Sequence, residues 1–230
     1  MDTKQLNELS IKIQISPDQL IREEAELLFL NELANHPLGQ KLAFYGGTAL
    51  RLAYGSPRFS EDIDLISIKK TNFADLTDLA GKIARDNPKW RLKDIKHKRQ
   101  TIFALFLIKD ENLKHAYSLK IEIHQPAKKV RLPLELRLIK SPTSVLEPLL
   151  LVPTLPALQQ LKINALANRK KARDIFDLWY IAQTQKTAFK LPAKLSAYSQ
   201  REFQNELKVF LPKKYYPIIK QLYESLRTTD

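Results

Sequence analysis

The stretch Phe44-Tyr-Gly-Gly-Thr-Ala-Leu-Arg-Leu-Ala-Tyr-Gly-Ser-Pro-Arg-Phe-Ser-Glu-Asp-Ile-Asp-Leu65 constrains this chain more than any other. It joins a glycine pair, at the point where a strand pattern gives way to a helix pattern, to two aspartates one residue apart. Three of the chain's five glycines (Gly46, Gly47, Gly55) fall inside it. Glycine admits backbone conformations and close approaches that other residues forbid, so the cluster suggests a loop that must receive a ligand. Asp62 and Asp64 project to the same side of an extended strand. Carboxylates that close repel unless a cation lies between them, and Mg²⁺ suits carboxylate oxygens together with a substrate's phosphates. A phosphate loop beside a metal-binding pair outlines nucleotidyl-transfer chemistry.

Each part of the motif also has a plainer reading. A glycine pair is often only a turn, and alternating aspartates can decorate an exposed edge strand. The neighbours Ile63, Leu65 and Ile66 argue for a buried strand, where unpaired charge is costly and a cationic partner is needed. The backbone N–H groups of Gly46, Gly47 and Thr48, at a helix N-terminus, would attract phosphate. A third carboxylate, Glu122, lies in Leu119-Lys-Ile-Glu-Ile-His124, sharing a face with Lys120 and His124. It could complete a metal site with Asp62 and Asp64, or simply pair with Lys120 on a half-exposed strand.

The remaining periodicity gives the frame. Ser16-Pro17-Asp18 is a helix start, and apolar spacing continues to His36-Pro37. Residues 42–45 read as a strand, 48–54 as a short helix, 63–68 as a strand and 73–86 as an amphipathic helix. Three strand patterns follow at 90–98, 101–108 and 117–124, the last two as an antiparallel hairpin. Residues 125–155 carry five prolines and read as a bridge. Helical periodicity then covers 156–168, 172–185, 200–211 and 216–228. The expected fold is α/β (α+β): a mixed-sheet core over residues 1–145 and a basic helical bundle over 146–230.

Charge sharpens this division. Residues 1–124 hold 19 Lys and Arg against 17 Asp and Glu, whereas residues 125–230 hold 19 against 8. A basic half of this kind, with Lys170, Lys171 and Arg173 at its centre, can hold RNA or merely solubilise the chain. Cysteine is absent, which excludes disulfides, zinc–thiolate sites and cysteine nucleophiles. No secretory signal is apparent in residues 1–14 and no run long enough to span a membrane occurs, so a cytoplasmic protein is expected.

The pattern Gly-Gly-Thr-Ala-Leu…Arg-Phe-Ser-Glu-Asp-Ile-Asp-Leu resembles the signature of the AbiEii/AbiGii-type nucleotidyltransferase toxins, within the DNA polymerase β-like superfamily. The segment Lys162-Ile-Asn-Ala-Leu-Ala-Asn-Arg-Lys-Lys-Ala-Arg-Asp-Ile-Phe-Asp-Leu178 is similar to that family's downstream motif, and the likeness covers about residues 25–185. The resemblance implies a polymerase β-like core and Mg²⁺ held by Asp62, Asp64 and Glu122. It implies a nucleotide site of Gly46, Gly47, Thr48, Arg58, Ser60 and Lys162, with Asp62, Asp64, Lys162 and Asp174 catalytic. Taken from the residues alone, Lys162 reads rather as extending to solvent from an apolar helix, and Asp177 could simply cap or pair within its own. The resemblance further implies a toxin of a toxin–antitoxin or phage-defence system, with an NTP substrate, a tRNA acceptor and a separately encoded antitoxin. Two other activities fit the residues: nucleotidyl transfer to a small molecule or protein, and a catalytically silent NTP- or RNA-binding module.

Overall fold

The computed structural model describes residues 1–127, 131–169, 171–189 and 199–226. Two helices lead the chain, α1 (Thr3–Ile13) and α2 (Pro17–Ala34). The first was not expected from apolar spacing. Its start is nevertheless written in the sequence, because Asp2 caps the Gln5 N–H while the Gln5 side chain returns to the Asp2 N–H. Pro17 at the first position starts α2, as the sequence implies.

The elements β1 (Leu42–Tyr45), α3 (Gly46–Tyr54), β2 (Asp62–Ser67), α4 (Phe73–Asp86), β3 (Trp90–Lys98), β4 (Thr101–Ile108) and β5 (Tyr117–His124) follow. The strands form one mixed sheet in the order β1-β2-β5-β4-β3, in which only β2 and β5 run parallel. Parallel neighbours need a long crossover, here supplied by α4, β3 and β4. Alternation then sorts the side chains. Ile102, Ala104, Phe106, Leu119, Ile121 and Ile123 are buried and belong to one core with Leu27, Phe29 and Leu30 of α2 and Leu76, Leu79 and Ile83 of α4. Lys120, Glu122 and His124 of β5, with Thr101, Phe103 and Leu105 of β4, are only half-buried and look the other way.

The proline-rich stretch holds more than a bridge. Two strands, β6 (Leu134–Leu138) and β7 (Leu149–Pro153), pair antiparallel, and Leu150 and Val152 join the first core beyond residue 145. Pro133 and Pro153 sit at strand ends, and Pro142 and Pro148 in the connecting loop, where no ladder N–H is required. These prolines concealed the hairpin. The helices α5 (Leu155–Asn168), α6 (Ala172–Thr184), α7 (Gln200–Lys208) and α8 (Tyr216–Ser225) surround a second core built on Phe176, Phe203, Leu207 and Leu222. Leu50 of α3, Leu158 of α5 and Ile181 of α6 make a small apolar contact joining the two parts. Among the described residues no helix is long and apolar enough to cross a membrane.

Candidate active site

The glycine pair opens α3 directly, so the helix begins earlier than the apolar spacing suggests. Tyr45 in the cap position supplies no side-chain cap, which leaves the first N–H groups of the helix available to a ligand. Gly46 has φ +86°, and a β-carbon there would stand 2.4 Å from Asp64 Oδ2. A β-carbon on Gly47 would stand 2.3 Å from the Arg58 guanidinium and 3.0 Å from the Ser60 hydroxyl. Both glycines are therefore required by the protein's own side chains, which crowd against the helix start. The Thr48 hydroxyl donates to the carbonyl of Asp62, tying that start to β2.

Parallel pairing brings the three carboxylates together. Asp64 is opposite Glu122 and Asp62 is opposite Lys120. The Lys120 ammonium bridges Asp62 at 3.1 Å and Glu122 at 3.0 Å. The Asp64 carboxylate makes no hydrogen bond or ion pair among the described residues. Burial, reinforced by the neighbouring Asp62 charge, pushes its carboxyl up to about 6. Burial and the charge of Asp64 also raise the Tyr45 hydroxyl. Among the described residues no three side chains already converge as a metal cage. The donors are nonetheless all carboxylate oxygens, the set Mg²⁺ prefers, and a cation already stands between two of them.

Across from these carboxylates lies α5. A cleft of about 300 Å³ is lined by Tyr45, Gly46, Asp64, Lys162, Asn168 and Arg169, with Leu158, Leu161 and Ala165 as its apolar wall. Lys162 is buried, and its ammonium lies 3.0 Å from Asp174 and 2.5 Å from Asp177. Arg169 reaches Asp174 at 3.1 Å. Arg58, 2% exposed, donates to both Asp177 oxygens at 2.7 and 2.8 Å and to the Phe59 carbonyl. Burial alone would raise Asp177, but Arg58 and then Lys162 hold it down at about 2.

The expected site residues thus fall into two groups. Gly46, Asp64 and Lys162 line the cleft, with Asp62 and Glu122 beside it on the sheet. Gly47, Arg58 and Ser60 lie together behind the glycine pair, and Asp174 is fully buried beneath Lys162 and Arg169. Lys170 lies outside the described residues, and Lys171 is exposed ahead of α6. Three cleft contributors were not singled out from sequence: Tyr45, Asn168 and Arg169. Arg169 had a signal, since it begins the basic run directly before the Asp174 helix.

A mixed sheet carrying paired carboxylates beside a glycine-started helix defines a nucleotidyltransferase fold. Two solved structures share it. JHP933 from Helicobacter pylori is 23% identical, with 94% of this chain and 83% of that one covered, at a TM-score of 0.56. The nucleotidyltransferase toxin MenT4 from Mycobacterium tuberculosis H37Rv is 16% identical, with 93% and 85% covered, at a TM-score of 0.61. The family model described as nucleotidyl transferase AbiEii toxin, type IV toxin–antitoxin system, matches residues 28–227, and the chain belongs to that family. It is a nucleotidyltransferase of a toxin–antitoxin system, with a nucleotide as substrate and an antitoxin as its counterpart. No curated protein matches it in sequence.

Proposed function

We propose that this enzyme transfers a nucleoside monophosphate from an NTP to an RNA acceptor, with tRNA the first candidate, in a Mg²⁺-dependent reaction in the cytoplasm. Blocking translation in this way would arrest growth, an output suited to phage defence. The observation that carries the reading is Asp64, an unpaired carboxylate on the cleft floor, facing an uncapped helix start and the cations Lys162 and Arg169.

In this reading the N–H groups of Gly46, Gly47 and Thr48, with Lys162 and Arg169, bind the triphosphate. Asp174 and Asp177 hold Lys162 in place, while Arg58 and Ser60 support the glycine pair from behind. Asp62, Asp64 and Glu122 would hold Mg²⁺ once Lys120 swings aside. When bound, the ion would neutralise the phosphates and favour deprotonation of the attacking hydroxyl. An acceptor hydroxyl then attacks the α-phosphorus in line, its new P–O bond forming as the bond to pyrophosphate breaks. The strong positive balance of residues 125–230 supports a polyanionic acceptor over a small one.

Incubation with each labelled NTP and total RNA, soluble protein or small metabolites tests this. Label should enter RNA, most strongly tRNA, and chelation of divalent cations or Asp62→Ala should abolish it. Equal labelling by Asp62→Ala and wild type would overturn the catalytic assignment. Label in protein or small molecules alone would replace the acceptor, and NTP binding without any transfer would favour a silent binding module.

A further inference from the structure

The open face of the sheet continues past the catalytic carboxylates. In register across it run Asp64, Glu122, Phe103 and Lys96, and in the next row Ile66, His124, Thr101 and Lys98. Adjacent strands lie about 4.8 Å apart, so Phe103 stands one strand from Glu122 and about 10 Å from Asp64. The helices α2 and α4 pack on the opposite face. Phe103 is half-buried, with the Lys96 ammonium 5.1 Å from its ring centre. A short cleft lined by Lys98, Arg99, Thr101 and His124 opens at the hairpin tip.

Charge accumulates here too. Residues 89–100 hold six Lys and Arg against the single acid Asp94, a local excess that the near-neutral balance of residues 1–124 conceals. Lys96 pairs with Asp94, whereas Arg91, Lys98 and Arg99 make no ion pair among the described residues. An aromatic ring between a reactive site and a row of cations is what a single strand needs. Every base has a face to stack, and every linkage has a phosphate to hold. Duplex RNA presents no unstacked base to such a ring.

We propose that this face, from Glu122 across Phe103 to Lys96, Lys98 and Arg99, is the platform for the single-stranded 3′ end of the acceptor RNA. The inference rests on transfer to RNA as read above and adds the subsite. A terminal base stacks on Phe103, its phosphates engage Lys96, Lys98 and Arg99, and its terminal hydroxyl is directed back along the row toward Glu122 and Asp64.

A labelled RNA hairpin with a short 3′ tail, and the same hairpin made blunt, serve as probes for binding and for transfer. Wild type should bind the tailed form more tightly. Lys98→Glu with Arg99→Glu, at the exposed end of β3 and in the turn that follows it, where folding is not at stake, should weaken that binding about tenfold or more. It should also reduce the slope of log affinity against log salt by about 1.4. Phe103→Leu should cost about tenfold and Phe103→Tyr, which keeps the ring, should not. NTP affinity should be unchanged in all of them. Unchanged tailed-RNA affinity in the variants, equal affinity for the blunt hairpin, or no RNA binding by wild type overturns the platform. Transfer measured in parallel separates the two ideas. Wild type that binds the tail through these residues but never labels it sinks transfer to RNA and leaves the platform. Efficient labelling with an unchanged acceptor KM in the variants does the reverse.

Discussion

Two sets of carboxylates flank Lys162, and burial pushes a member of each upward, but only one is brought back down. Asp64 lies on the cleft floor with no side-chain partner among the described residues, and its carboxyl is pushed up to about 6. Asp177 is fully buried, yet Arg58 and Lys162 hold it at about 2. The difference is not in residue type, and the deeper of the two is the one held down, because there the protein supplies the countercharge. At Asp174 and Asp177 it does, with three cations, and the result is a tie between the loop after α3 and helices α5 and α6. At Asp62, Asp64 and Glu122 it supplies one lysine, shared by Asp62 and Glu122, and none that pairs with Asp64 among the described residues. One set is closed by the protein's own cations, and the other is left short of countercharge.

The sharpest way to break this contrast is to neutralise one member of each set. Asp64→Asn should lower kcat for nucleotidyl transfer by about a thousandfold or more, because a reacting-site charge is lost. Its melting temperature should stay level or rise, since a charge disfavoured by burial is gone. Asp177→Asn should do the opposite to the fold. It strands the buried Arg58 guanidinium at a cost of about 3–5 kcal/mol, or roughly 10 °C in melting temperature. If both variants melt alike, the two sets do not differ as described.

Acid titration reads the same pair with a smaller effect. Asp177 has a depressed folded value, so its contribution is fully present above its unfolded value of about 3.9. It is lost as pH falls through about 2. A shift of this size amounts to about 2 kcal/mol. Denaturant unfolding between pH 5 and pH 2 should show that loss in wild type and a flatter profile in Asp177→Asn. Parallel profiles would place the acid sensitivity elsewhere.

Much of the frame could be read from periodicity and punctuation. β1, β3, β4, β5 and α4 fall where apolar spacing puts them, and the Asp-x-Asp motif lies on a strand as expected. What escaped the sequence was long-range. Nothing in residues 64 and 122 announces that their strands run parallel and adjacent. Nothing links Arg58 to Asp177 across 119 residues. The glycine pair suggested room for a phosphate, and the structure adds that Asp64 and Arg58 fill the space its missing side chains leave. The basic hairpin at 89–100 was lost by averaging charge over half the chain. Prolines hid β6 and β7, because they mark strand ends as readily as loops.

Lys120 offers the finest test, since it is the one point at which the two carboxylate sets are alike. Its ammonium sits between Asp62 and Glu122 as Lys162 sits between Asp174 and Asp177. Lys162 is 8% exposed and held by two fully buried aspartates, whereas Lys120 is about one-third exposed and free to leave, so its pairing contributes only about 0.2–1 kcal/mol. If it occupies the place of the metal, Lys120→Gln removes a competitor. The Mg²⁺ concentration giving half-maximal transfer should then fall by up to about fivefold, which is that same energy expressed as an affinity. Stability should barely change. A higher Mg²⁺ requirement would instead show that the lysine helps to hold the metal–triphosphate complex. Its resemblance to Lys162 would then be functional rather than a matter of arrangement.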